Sequence, residues 1–331
     1  MKDYIVANFS GGKDSTAMVL RMIELGEHID EVVCCDTTKE FPAMYSHIDM
    51  VRIAVEDAGI KFTLIRAEHD FDHYMFDYEV KRRKPELAHL TGNAWPLPMT
   101  RWCTTLLKKM PIDSYLKQLR QTHNVIQCIG IAADEAYRLE RANNQNPNHR
   151  HPLVEWGWTE ADCLKYCYDH GYDWNGLYKI FDRVSCWCCP LKSLDEYRKL
   201  WKYFPDLWEE LKDMDRRAWN QFLKNYSVED LEIRFQLEDE WKAQGLEPNP
   251  RTKAFREALQ KSLREKRGRS MATDKSKYKP EGRRREGARF EVCQSCGLEW
   301  NVSKTAELPE TGYICPRCRN KNRKAETNGK K

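Results

Sequence analysis

The 331-residue sequence contains no apolar run approaching the length of a bilayer span. Its first residues also lack the basic, apolar and small-residue succession of a secretory signal. On these absences we expect no membrane partner and a cytoplasmic location. Two common phosphate motifs are missing as well: neither G-x-x-x-x-G-K-[ST] nor G-x-G-x-x-G occurs. Cysteine, by contrast, is plentiful. Thirteen cysteines in a cytoplasmic chain point to metal or redox chemistry before disulfides. With 41% apolar residues, 11 Trp and 15 Tyr, the chain can bury one sizeable α/β core plus something smaller. Its formal charge of +4 hides an asymmetry, since residues 1–250 carry a net −9 and residues 251–331 a net +13. An acidic body with a basic tail suggests nucleic acid as the tail's partner.

The chemistry centres on Ser10-Gly11-Gly12-Lys13-Asp14-Ser15-Thr16. The apolar run Tyr4–Phe9 before it reads as a buried parallel strand. Residues 17–25 after it carry apolar side chains at helical spacing, and Gly26 is a helix stop. Two glycines between strand and helix let the backbone turn tightly and bring N–H groups up to an anion. The helix N-terminus adds partial positive charge. Lys13 adds a full one, and Ser10, Ser15 and Thr16 add hydroxyls. The arrangement is a phosphate cradle.

Glu31–Cys35 reads as a second strand ending at Asp36, and Lys61–Arg66 as a third. Asn124–Gly130 reads as a fourth, followed by Asp134, Glu135 and Arg138. Alternation of strand and helix predicts a doubly wound parallel sheet, with the acidic strand ends where open α/β sheets bind ligands. Cys34 and Cys35 read as strand packing, and Cys163 and Cys167 as helix packing. Residues 67–100 read as a substrate-side insertion or lid with a helix around Phe71–Arg83. Thr159 reads as an N-cap supported by Asp162.

Five features, in order, resemble the sulfonucleotide (PAPS/APS) reductase family of the PP-loop ATP pyrophosphatase superfamily. They are the Ser-Gly-Gly-Lys-Asp-Ser loop, Asp36-Thr37 with Phe41-Pro42, Cys103…Lys108…Pro111, His151-Pro152-Leu153…Trp156…Trp158-Thr159, and Cys186-x-x-Cys189-Pro190. The resemblance covers roughly residues 1–195. It implies an α/β fold of the HUP type with an adenine nucleotide, ATP with Mg²⁺, over the first loop. It assigns nucleotide contacts to Ser10–Thr16, Asp36, Gly130 and Arg138, and catalytic roles to Lys13, Asp14 and Asp134. The family also includes enzymes that put sulfur into nucleic acid.

APS-type members hold a [4Fe–4S] cluster with a Cys-Cys pair and a C-x-x-C. Here Cys103 matches the first of the pair and Thr104 replaces the second, while Cys186 and Cys189 match the C-x-x-C around an extra Cys188. Iron–sulfur clusters take thiolates, usually four. Either Cys188 supplies the fourth ligand, or three cysteines leave one iron open, as resembles the tRNA thiolation enzymes. Zinc and a set of buried structural thiols remain alternatives. The reductases' terminal Glu-Cys-Gly-Leu-His is absent, because Ser295-Cys296-Gly297-Leu298-Glu299 stands in its place.

Aromatic-rich helical sequence runs to about residue 250, with Trp201, Phe204, Leu207, Trp208 and Leu211 spaced as a core face. Residues 251–289 read as a basic helix passing into a disordered linker. Cys293-x-x-Cys296 and Cys315-x-x-Cys318, 18 residues apart, read as a zinc ribbon over 290–320, with a disordered tail over 321–331. The expected function is ATP-dependent adenylation followed by sulfur transfer from a donor protein, with DNA or RNA as the acceptor. The alternatives are a true sulfonucleotide reductase and a non-catalytic, nucleotide-dependent nucleic-acid-binding protein.

Overall fold

The structure, a computed structural model, describes residues 1–82, 85–140, 146–271, 289–292, 294 and 299–302. Its centre is a five-stranded sheet of β1 (Asp3–Phe9), β2 (Glu31–Asp36), β3 (Lys61–Arg66), β4 (Asn124–Ile129) and β5 (His149–Arg150). The order is β3-β2-β1-β4-β5 and every pairing is parallel. The doubly wound parallel sheet expected from the sequence is therefore present. The chain winds outward from β1 to β2 and β3 on one side, then to β4 and β5 on the other. A topological switch point, where such sheets bind ligands, thus lies between the carboxyl ends of β1 and β4.

The helices are α1 (Lys13–Glu24), α2 (Pro42–Asp57), α3 (Trp102–Thr104), α4 (Met110–Leu119), α5 (Pro152–Glu155), α6 (Glu160–Asp169), α7 (Leu177–Ile180), α8 (Leu194–Tyr203), α9 (Pro205–Arg217), α10 (Val228–Ala243) and α11 (Lys253–Met271). Period-2 alternation divides the strands between two cores. Val6, Val33 and Val125 pack on Leu116 of α4. Ala7, Val32, Cys34 and Cys128 face the larger core with α1 and α2. Local chemistry starts the helices: proline opens α2, α4, α5 and α9. Capping boxes Thr159/Asp162, Ser193/Glu196 and Ser227/Asp230 open α6, α8 and α10.

Cys163 and Cys167 are buried in the main core, as the packing reading expected, and burial pushes the Cys167 thiol up to about 12. Tyr197, Trp208, Leu211 and Phe235 share that core, so α8, α9 and α10 pack on the same core as the sheet. Two compact units emerge, Met1–Leu259 and Gln260–Lys331. The second contains the antiparallel pair β6 (Arg289–Val292) and β7 (Glu299–Val302). The zinc site expected at Cys293, Cys296, Cys315 and Cys318 lies outside the described residues, as do residues 272–288 of the expected linker and the expected tail.

Residues 67–100 differ from the expected long helix. A single π-helical turn, His73–Asp77, forms instead. The returning chain ends it, because the N–H groups of Gly92, Asn93 and Ala94 donate to the carbonyls of Tyr78, Tyr74 and Met75. A Cβ on Gly92 would sit 2.1 Å from the Met75 carbonyl oxygen, so only glycine permits this approach. Phe71, Met75, Ala94 and Trp95 anchor the segment in the main core. Among the described residues, no helix is long and apolar enough to cross a membrane.

Candidate active site

The turn Ser10–Gly12 leaves the carboxyl end of β1 and delivers Lys13 as the first residue of α1. Gly11 sits at φ +79°, and a Cβ there would lie 2.6 Å from Met44 Sδ. Gly12 is the extended N-cap, without a capping side chain. Gly130, just past β4, lets the switch-point walls meet, since a Cβ there would sit 3.0 Å from Ser15 Cα. Ser15 Oγ ties the turn by donating to the Gly12 carbonyl at 3.0 Å and accepting the Ser10 N–H at 3.1 Å. In the first turn of α1, the N–H groups have no intrahelical partners and point out of the helix end. Lys13 N–H donates to the Tyr178 hydroxyl at 3.0 Å.

These groups line a cavity of about 220 Å³ together with Glu135, Arg138, Glu160, Asp182 and Arg183. Its carboxylates, Asp14, Glu135, Glu160 and Asp182, outnumber its cations, Lys13, Arg138 and Arg183. Lys13 is buried, and its ammonium holds Asp14 at 2.9 Å and Glu160. Burial pulls the Lys13 pKa down, but the bonds to Glu160 and Asp14 outweigh it and the net direction is up. Burial raises the Asp14 carboxyl against the pull of Lys13. Arg138 pairs with Glu135.

Of the residues expected here, Ser10, Gly12, Lys13, Asp14, Ser15, Gly130 and Arg138 line the cavity. Gly11 and Thr16 support it from behind. Asp134 is outside the lining, and its carboxylate accepts the N–H of Glu160 at 3.1 Å, capping α6. Asp36 is also outside, buried and filled by Thr38 N–H at 2.7 Å, Tyr45 OH at 3.0 Å and Arg66 Nε at 2.9 Å. Glu160, Tyr178, Asp182 and Arg183 were missed. No local pattern distinguishes them, because only the fold brings α6 and the end of α7 to the cradle.

A second cluster gathers behind the end of β2. The Cys186 thiol donates to Glu40 Oε1 at 3.4 Å and lies 3.4 Å from Thr37 Oγ1. Lys108 Nζ lies 3.8 Å from Glu40. Burial lowers the Lys108 pKa, while Cys186, Glu40, Cys35 and Cys103 raise it and prevail. Burial, then Glu40, pushes Cys186 up to about 12. Burial and the neighbouring Cys189 raise Cys103. Cys189 thus lies near both Cys103 and Cys186, and the Lys108 ammonium near Cys186 and Cys103. Cys188 is only 1% exposed and belongs to the main core. Among the described residues, no group of three or more His, Cys, Asp or Glu side chains is arranged to hold a metal ion. The thiols have the right chemistry for an iron–sulfur cluster, but as they stand they do not close around one.

The fold is thus a parallel α/β sheet with a glycine-rich turn, a helix N-terminus and a cavity at its switch point, where such sheets bind ligands. The chain belongs to the phosphoadenosine phosphosulfate reductase domain family, which matches residues 4–192. Two uncharacterized proteins of Methanocaldococcus jannaschii are similar to it. MJ0066 is 27% identical over 69% of this chain and 43% of its own length. MJ0973 is 23% identical over 75% of this chain and 54% of its own. The chain thus spans about half the length of these relatives. Among solved structures, the U34-tRNA thiolase NcsA from Methanococcus maripaludis with its [4Fe-4S] cluster is 13% identical. That alignment covers 65% of this chain and 71% of the other, but its TM-score of 0.32 is too low to carry an argument.

Proposed function

We propose that the chain is a PP-loop enzyme that binds MgATP on Ser10–Ser15, adenylates an acceptor with release of pyrophosphate, and transfers sulfur to it. The observation that carries this reading is the cradle itself, with helix N–H groups, a buried lysine and three glycines at the switch point. Four carboxylates against three cations disfavour a bare polyanion and favour a metal-bound triphosphate. An acceptor oxygen attacks the α-phosphorus, and the bond to pyrophosphate breaks. Lys13 and the first-turn N–H groups stabilise the charge on the leaving pyrophosphate. A sulfur nucleophile from a donor then displaces AMP. Cys103, Cys186 and Cys189 are the thiols that would hold an iron–sulfur cluster, once Cys186 leaves Glu40 and Thr37. The basic tail makes nucleic acid the favoured acceptor class.

The test is pyrophosphate and AMP formation from MgATP by anaerobically prepared protein with sulfide, comparing tRNA and DNA as acceptors. Acceptor-dependent release supports the reading. Sulfite formation from a sulfonucleotide with thioredoxin, and no pyrophosphate release, would replace it with a reductase. Nucleotide binding without turnover of either kind would replace it with a binding protein.

A further inference from the structure

Besides Ser15 and Tyr178, which line the cavity, two side chains outside the lining aim the N–H groups of the cradle. In a planar trans peptide, the carbonyl of one residue and the N–H of the next point in opposite directions. Fixing the Gly11 and Gly12 carbonyls inward therefore fixes the Gly12 and Lys13 N–H groups outward. The Gly11 carbonyl accepts the Trp174 indole N–H at 2.7 Å. The Gly12 carbonyl accepts the Thr16 hydroxyl at 2.9 Å, and that hydroxyl lies 2.9 Å from His47 Nε2. Because the Thr16 hydrogen is used on Gly12, His47 must donate from Nε2, which leaves Nδ1 bare. His47 Nδ1 is indeed buried with no hydrogen-bond partner among the described residues.

The two side chains act as one unit. The His47 and Trp174 rings stack at 4.2 Å. Trp174 and the following Asn175 adopt φ 51° and 50°, a left-handed backbone that is costly outside glycine. Asp173 holds this bend by accepting the Asn175 N–H at 2.9 Å. Burial lowers the His47 pKa to about 4, consistent with a neutral ring.

We infer that His47 and Trp174 are positioning residues: Trp174 aims the Gly12 N–H at the phosphates of the nucleotide, and His47, through Thr16, holds the Lys13 N–H on the Tyr178 hydroxyl that lines the cavity. This rests on the MgATP reading above. The test combines imidazole and amide nitrogen NMR on the full chain with calorimetric titration, in the presence of Mg²⁺, of ATP and of inorganic pyrophosphate. The wild type should show His47 protonated at Nε2 only. Trp174→Phe keeps the ring stack and removes the N–H, and His47→Leu removes the relay. Each should shift the Gly12 and Lys13 amide signals and weaken pyrophosphate binding about tenfold. His47→Gln, which restores a donor, should recover most of that loss. Wild-type affinity in both folded variants, or an Nδ1-protonated His47, overturns the inference and leaves the MgATP reading standing. If the wild type binds neither ligand, both fall together.

Discussion

The phosphate cradle and the thiol cluster stand at the ends of neighbouring strands, yet they are built to different degrees. At the end of β1, the Gly11 and Gly12 carbonyls have fixed donors, which set the N–H groups that follow them. At the end of β2, the thiols are spent on the protein itself, with Cys186 on Glu40 and Thr37. The difference follows from the ligands. Phosphate is recognised by backbone groups, which a fold can set in advance. Thiols must be deprotonated before they can ligate a metal, so burial and the Glu40 carboxylate keep Cys186 in its protonated form until something replaces those contacts.

The largest test of the comparison lies in the cradle. Lys13→Ala should lower ATP-dependent pyrophosphate release about 100-fold or more, because the displaced charge loses its one buried ammonium. Steady-state release with a thermal melt as folding control measures it. Unchanged release would separate the cradle from the chemistry. Next comes the thiol cluster. If it loads iron, anaerobic wild type should hold about four iron per chain, and Cys103→Ser or Cys186→Ser should fall below one. Iron and labile sulfide assays decide this, and equal loading in the variants would move the metal elsewhere.

A third test sets the two sites apart by pH. The His47 pKa falls from its ordinary 6.5 to about 4, through burial opposed by Asp173. The unfolded chain therefore binds a proton that the folded chain refuses. Stability drops as pH falls below about 6.5 and levels off near 4, by about 3 kcal/mol in all. Denaturant melts at pH 7 and 4.5 should show a smaller acid loss in His47→Gln than in wild type. Equal losses would show that the ring accepts a proton in the folded state.

How much of this could be read from the sequence depended on distance along the chain. The cradle was legible because Ser10–Thr16 is one continuous turn whose strand and helix declare themselves on either side. The four longer strands were legible from their apolar runs for the same reason. Asp36 was drawn correctly to a strand end, but its three local donors are invisible in sequence, so its occupation by Thr38, Tyr45 and Arg66 was not foreseen. Glu160 and Tyr178 come from more than 140 positions away, carried by α6 and α7. The His47–Thr16–Gly12 relay joins α2 to α1, and nothing in the spacing of a lone histidine announces it.

The smallest predicted effect discriminates most finely within the cysteine run Cys186–Cys189. Spacing alone makes Cys188 as good a ligand as its neighbours. Packing does not, because Cys188 is buried in the main core beside Trp187, while Cys186 and Cys189 are partly exposed. Burial raises the Cys188 thiol well above its ordinary value, which opposes the thiolate a metal needs. Cys188→Ala should therefore cost only about 1 kcal/mol, the price of a small apolar contact. It should keep whatever metal the wild type carries. Cys188→Ser should cost more, because a hydroxyl enters an apolar site. Denaturant melts and metal analysis on the same samples read both quantities. Loss of metal in Cys188→Ala with stability intact would make Cys188 a fourth ligand and require the core around it to open when metal binds.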